Sequence, residues 1–333
     1  MALQTLEIVE LPVDDPAAVD AAHRIADEAI RSDAPDLPPE CRYAFGMQLV
    51  HPRPGADRQV FLAHRDGEPV GTVALELPTR DNLDKAHIEV SVPVGLRGRG
   101  IGRALYAHAA GLARDRGRTS ALSFSPLAPA PSGFAAAMGL QNGLTDARRK
   151  LRIADLDEPS IQRLYDESLA KSPGYTAEQW IGMPPERLIA DLAGLDSSFL
   201  AEAPMGELDY EPQNIDVELL RAQHEAYVVY DSRRYQSVVI HEATGRVVAW
   251  SAIRVRRTVR EHAWQLITLV HPAHRGHRLG LRVKVDNLRF LLAHEPVATI
   301  HTFNAVENSH MIAINEAMGF RLAELWANWQ GAI

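Results

Sequence analysis

The sequence predicts an α/β chain that carries one fold twice, and three observations predict it. "VPVGLRGRGIGRALYAHAAGLARDRG" (Val92–Gly117) joins an apolar run to a helix through closely spaced glycines and arginines, and "LVHPAHRGHRLGLRVKVDNLRFLLAH" from Leu269 does so again. The spacing is constant: Arg97 and Arg275 are 178 residues apart, as are Val92 and Val270. Met138-Gly139-Leu140 and Met318-Gly319-Phe320 match at a spacing of 180. Self-similarity at a fixed period means repeated structural units.

The elements follow in order. Leu6–Leu11 reads as a short strand, and "DDPAAVDAAHRIADEAIRSD" as a helix, with an Asp-Pro start and Val19, Ala22, Ile25, Ala26 and Ile30 at helical spacing. "RQVFLAHRDGEPVGTVALEL" reads as two strands about Asp66-Gly67, a strong hairpin signal. "HIEVSVPV" is a strand, followed by the glycine-arginine loop and a helix with Ile101, Leu105, Ala109 and Leu112 on one face. "SALSFS" is a strand, "SGFAAAMGLQNG" a short helix stopping at glycine, and "ARRKLRI" a closing strand. The second half repeats the order with "SVVIHEATGRVVAWSAIRV", "WQLITLV", the second loop and its helix, "VATIHTF" and "NSHMIAINEAMGF". The join falls between residues 154 and 173, with "SIQRLYDESLAK" as a helical connector, which divides the chain into 1–155 and 156–333. Ala34–Gly55 and Met183–Arg221 are the least regular segments.

Length and composition agree with two domains. A chain of 333 residues exceeds one ordinary core, and 46% hydrophobic with 23% charged residues describes a globular protein. No uncharged apolar run approaches the roughly 20 residues that span a bilayer, and "MALQTLEIVELPVDDP" lacks a basic leader and apolar segment. The single Cys41 excludes an internal disulfide, as expected of a cytoplasmic protein. With a net charge of −8 and basic residues clustered only locally, nucleic acid is not an expected partner. Small basic pockets in an acidic chain suit an anionic cofactor and a cationic co-substrate. Monomer and homodimer both remain open.

A strand that ends in a glycine-rich loop and opens a helix aims several free N–H groups, with the positive end of the helix dipole, at one anion. Glycine keeps the approach open and allows positive φ. A phosphate loop of the Gly-Lys-Ser/Thr kind is absent, and Gly98-x-Gly100-x-Gly102 is not the dinucleotide fingerprint.

Arg97-x-x-Gly100-x-Gly102 behind "EVSV" closely resembles the GNAT family, the acyl-CoA-dependent N-acetyltransferases; Val92, Gly98, Ile101 and Leu105 also fall into place. The resemblance extends through both halves, in the manner of tandem bacterial, actinobacterial-type members. It implies two tandem folds, each a mixed, mostly antiparallel sheet flanked by helices with a splayed central strand pair. It also implies that the loop holds the pyrophosphate of acetyl-CoA or another short acyl-CoA, whose pantetheine arm enters the splay. Val92, Arg97, Gly98, Arg99, Gly100, Ile101, Gly102 and Arg103 are then the cofactor-binding residues of the first half. Val270, Arg275, Gly276, His277, Arg278 and Gly280 are those of the second, where Arg278 stands in place of the middle glycine. Asn304 and Asn308 would contact the carrier further along, although asparagine suits a strand end and a helix N-cap equally well.

The chemistry so implied is direct transfer, in a ternary complex, to a primary amine of a small molecule or peptide. Glu89, three residues before Val92, is the candidate general base; the second half has Ile267 there, leaving Asp209, Glu211 or His271 as substitutes. Many relatives have a tyrosine acid where this chain has Ala135 and Asn315. The resemblance gives the oxyanion to the backbone N–H of Val92 or Val270. His271, His274 and His277 lack a fourth ligand or cysteine partner, so charge for phosphate is expected there and no metal. Trp326 and Trp329 suit core packing or an acceptor pocket. The missing tyrosines, Ile267 and Arg278 also fit a different class, a sensor or scaffold that binds acyl-CoA without turning it over.

Overall fold

Local chemistry accounts for most elements of the computed structural model, which describes residues 6–202 and 204–333. Residues 1–5, read above for a leader, lie outside the described residues. After strand β1 (Glu7–Glu10), Asp15 caps helix α1 (Pro16–Asp33): its carboxylate accepts from the N–H groups of Ala17 and Ala18. Helix α2 (Arg42–Val50) then occupies a segment that the sequence leaves irregular. Strands β2 (Ala56–Arg65) and β3 (Glu68–Pro78) form the expected hairpin, both turn residues having positive φ, 55° at Asp66 and 80° at Gly67. Strand β4 (Lys85–Ser91), helix α3 (Ile101–Asp115), strand β5 (Ser120–Pro126), helix α4 (Pro129–Ala137) and strand β6 (Gln141–Arg152) complete the first series.

The second series begins with helix α5 (Glu158–Ala170), capped by Asp157; it is helical as expected but lies within unit 2 rather than joining two units. Strand β7 (Tyr175–Ile181) and helices α6 (Ile189–Glu202) and α7 (Val217–Val229) follow. The irregular reading of 183–221 is thus corrected: α6 and α7 pack against the sheet and each other, so their apolar residues do not keep to one stripe. Strands β8 (Ser232–His241), β9 (Arg246–Arg256) and β10 (His262–Val270), helix α8 (Leu279–Leu292), strand β11 (Thr299–Ala305), helix α9 (Ser309–Ala317) and strand β12 (Arg321–Ala332) end the series.

Two units result. Unit 1 contains Met1–Asp146, Met205–Glu211 and Glu324–Ile333; unit 2 contains Ala147–Pro204 and Pro212–Ala323. The main division therefore lies inside β6 rather than at 154–173. That strand runs unbroken across Asp146 and Ala147, so no loop marks the boundary.

In unit 1 the strand order is β1-β2-β3-β4-β5-β12, with β4–β5 as the parallel pair. Strand β12 lies antiparallel to β5 from Trp326↔Pro126 to Ala332↔Ser120. Helix α3 packs Ile101, Leu105 and Ala109 against Val73, Leu75 and Ile88. On the opposite face α1 and α2 pack Ala22, Ile25 and Phe45 against Val60 and Leu62. Each fully buried Leu, Ile or Phe contributes about 1.5–3 kcal/mol, so both faces hold the sheet firmly. Met205–Glu211 is fastened at the start of β4: Lys85 pairs with Asp209 at 2.5 Å, and the Asn82 amide bonds the Glu211 backbone in both directions at 3.0 and 2.7 Å.

Unit 2 orders its strands β7-β8-β9-β10-β11, again antiparallel except for β10–β11. Its cores are built by α8 with α5, and by α6 with α7. Both units are mixed, mostly antiparallel α/β folds, as the sequence predicts. Among the described residues no helix is long and apolar enough to cross a membrane.

Candidate active site

In unit 1 the parallel pair comes apart. Strands β4 and β5 are in register only from Lys85↔Ser120 to His87↔Leu122. Beyond that point Ile88–Ser91 remain paired with β3 alone and Ser123–Pro126 with β12 alone. Two strand edges with free peptide groups then face one another, a geometry suited to an extended ligand bearing amides. The gap opens into a cavity of about 830 Å³ whose walls include Val92, Tyr106, Ser125, Ala135, Trp326 and Trp329.

The glycine-arginine loop forms one end of this cavity. Gly98 and Gly100 have φ of 74° and 82°, and Gly100 is the N-cap of α3, so the first N–H groups of the helix turn toward the gap. Gly102 has a different reason to be glycine: a Cβ there would lie 3.1 Å from the Phe134 ring. The arginines divide their work. Arg97 bonds Asp33 of α1 through both terminal nitrogens, at 2.8 and 2.9 Å, and its Nε donates to the Val92 carbonyl at 3.2 Å. It therefore clamps the loop to α1. Arg99 and Arg103 are exposed and make no ion pair among the described residues, which leaves them for an anion. Ile101 is buried beneath the loop as its apolar anchor.

Glu89 lines the same cavity on the α1 side of the sheet, opposite Ala74 in the register. His87, which the sequence reading passed over, lies two residues earlier on the same face. Burial holds its imidazole below the usual pKa despite the Glu76 and Glu89 carboxylates, and its buried Nε2 has no hydrogen-bond partner. Tyr210 of the Met205–Glu211 segment meets it edge-on, ring centroids 6.1 Å apart. Tyr106 was also missed, although its helical position one turn after Gly102 was readable. Its buried hydroxyl has no partner, and burial raises its pKa, so it remains protonated at neutral pH. Asp209 and Glu211 belong to unit 1, and this corrects their candidacy as bases for the second half. Trp326 and Trp329 both pack and line the cavity, Trp326 stacked on Phe124 at 4.8 Å and Trp329 Nε1 donating to Ser125 Oγ at 2.8 Å.

Unit 2 repeats the geometry with different contents. Strands β10 and β11 are in register from His262↔Thr299 to Trp264↔His301 and then part. Gly276 has φ of 86°, and Arg278, in the place of Gly100, holds the same left-handed conformation with φ of 54°. Its guanidinium pairs with Glu167. A Cβ at Gly280 would lie 3.4 Å from the Val270 side chain, an ordinary contact distance. His277 meets the Lys171 carbonyl at 3.2 Å, His274 bonds the Tyr175 hydroxyl at 2.9 Å, and His271 accepts from the Ala273 N–H. Arg275 has partners of its own. Asn308 caps α9 by accepting from the Met311 N–H, and Asn304 accepts from Asn315 at 2.6 Å. Ile267 packs into the core beside α6.

A left-handed residue with a Cβ is strained by about 1–2 kcal/mol. Arg278→Gly is accordingly expected to stabilise the protein by roughly 0.5–1 kcal/mol, once glycine's extra freedom in the unfolded chain is set against the relief. Urea unfolding checks this, and a lowered midpoint would contradict it.

Residues 22–130 match the acetyltransferase (GNAT) family. Over 98% of each chain, the protein is similar in structure to a tandem GNAT protein from the clavulanic acid biosynthesis pathway, with 28% identity and a TM-score of 0.82. A GCN5-related N-acetyltransferase from Sphaerobacter thermophilus shares the fold at 12% identity and a TM-score of 0.70, over 98% of this chain and 95% of that one. Saccharomyces cerevisiae N-myristoyltransferase, solved with bound myristoyl-CoA, shares it at 10% identity and 0.62, over 99% and 80%. None of the curated proteins matches the chain.

Proposed function

The chain belongs to the GNAT superfamily as a tandem pair of its folds, and from that premise we propose that unit 1 transfers an acetyl or other short acyl group from coenzyme A to a primary amine. The observation that carries this reading is the single cavity that joins the Gly98–Gly102 loop, the parted edges of β4 and β5, and Glu89. Loop N–H groups with Arg99 and Arg103 suit a pyrophosphate, and the parted edges suit the amides of a pantetheine arm.

In this reading Glu89 accepts the proton of the attacking amine as its nitrogen bonds the thioester carbonyl carbon. The Val92 N–H steadies the oxyanion that forms. As the C–S bond breaks, Tyr106 donates a hydrogen bond to the sulfur. The proton taken by Glu89 passes to solvent, and an equal proton from solvent completes the thiol. Asp33, Glu40 and Glu89 give the cavity acidic walls, although Asp33 is neutralised by Arg97, and this favours a cationic amine.

Calorimetry with acetyl-CoA, followed by thiol release in the presence of polyamines, aminoglycosides, amino acids and peptides, tests the proposal. Binding with release for at least one amine is expected. Tight binding without release from any amine would instead indicate a sensor. Tyr106→Phe is expected to lower kcat about 10- to 100-fold, the worth of one directed hydrogen bond, with the KM for the amine unchanged. An unaltered kcat would remove Tyr106 from the mechanism.

A further inference from the structure

Three cavity positions of unit 1 have counterparts in unit 2 that close on one another. Tyr106, Ser125 and Ala135 all face the cavity of about 830 Å³. The loop spacing of 178 residues puts Lys284 at the position of Tyr106. The parallel registers, His87↔Leu122 and Trp264↔His301, align Asn304 with Ser125. The Met-Gly pairs, 180 residues apart, align Asn315 with Ala135. In unit 2 these three are bonded in a row: Lys284 Nζ donates to Asn315 Oδ1 at 2.6 Å, and Asn315 Nδ2 donates to Asn304 Oδ1 at 2.6 Å.

The row is dry. Lys284 and Asn315 are 1% and 0% exposed, and the ammonium lies 5.3 Å from the Phe320 ring centroid. No carboxylate pairs with Lys284 among the described residues, and burial pulls its pKa down to about 7. A lysine in a water-filled cleft would keep its ordinary value. The loop beside it is occupied as well, since Arg278 is held by Glu167 and His277 by Lys171.

We propose that the Lys284–Asn315–Asn304 row, which ties α8 and α9 to β11, locks the space beside the parted strands of unit 2, so that this unit takes no thioester carrier and the chain binds one acyl-CoA, in unit 1. The inference rests on the reading of unit 1 as the transfer site. It turns the second glycine-arginine loop into a relic of a binding site, with the stretch behind it serving as core.

Calorimetric titration of the full chain with acetyl-CoA is expected to give one site per chain. Gly100→Val should abolish the heat, and Arg99→Ala/Arg103→Ala, which leaves the loop backbone untouched, should weaken binding about tenfold or more. Arg275→Ala should leave the isotherm unchanged. Two sites, or a site that survives Gly100→Val and disappears with Arg275→Ala, would overturn the lock while leaving acyl-CoA chemistry intact. No heat from the unaltered protein would overturn both readings. Lys284→Tyr/Asn304→Ser/Asn315→Ala, which installs the unit 1 residues, is expected to add a second and weaker site. A folded triple variant that still binds one equivalent would count against the row as the cause.

Discussion

Glu89→Gln is expected to lower kcat for the best amine by about 100- to 10,000-fold, the usual range for loss of a general base, with affinity for acetyl-CoA unchanged. Glutamine keeps the size and hydrogen-bonding reach of glutamate but cannot take a proton. The side chain lines the cavity and makes no hydrogen bond or ion pair among the described residues, so the substitution breaks no structural contact. A base is needed least when the amine is already free. The loss should therefore narrow as pH rises toward the pKa of the amine itself, and rate profiles from pH 7 to 10 measure this. Turnover within threefold of the unaltered protein at pH 7 would move the role elsewhere. His87, neutral and on the same face, would be the next group to replace.

Lys284→Met is expected to stabilise the protein at pH 6 and to lose that advantage by about pH 9. Burial moves the lysine from 10.5 to about 7, and at about 1.4 kcal/mol per pH unit this costs the fold on the order of 5 kcal/mol at a pH where both states are protonated. Methionine fills a similar volume without charge. It leaves Asn315 Oδ1 without its donor, a loss of about 1–3 kcal/mol, so the net gain at pH 6 is about 2–4 kcal/mol. Between pH 7 and 10.5 the unfolded chain binds the proton and the folded chain does not. The stability of the unaltered protein thus rises with pH across that window, and the variant lacks the rise. Chemical denaturation at pH 6 and pH 9 decides the matter, and a difference that does not change with pH would contradict the burial argument.

Local signals were legible and long-range pairings were not. Asp66-Gly67 predicts a hairpin because two adjacent residues must adopt positive φ, and they do. The glycines at 98 and 100 predict a left-handed loop for the same reason. Nothing within a few residues of Arg97 says that its partner is Asp33, 64 positions away, so a phosphate ligand on paper proves to be a clamp for α1. Strand β12 carries no mark of the sheet it joins, because an apolar strand next to β5 reads like an apolar strand anywhere else. Lys284 did leave a trace, as a charge inside the buried stripe of "LRVKVDNL". Its meaning appears only when Asn315, from another helix, is found 2.6 Å away.

The membership of residues 324–333 in unit 1 bears on how the polypeptide is made. Domains usually fold in sequence as they leave the ribosome. Here the sheet built by the first 146 residues waits, with the outer side of β5 uncovered, through nearly two hundred further codons. An uncovered strand edge invites pairing with other chains, so nascent polypeptide of intermediate length is the form most in need of a chaperone. Splitting the coding sequence near its middle would yield two insoluble halves, which recover when they are synthesised together.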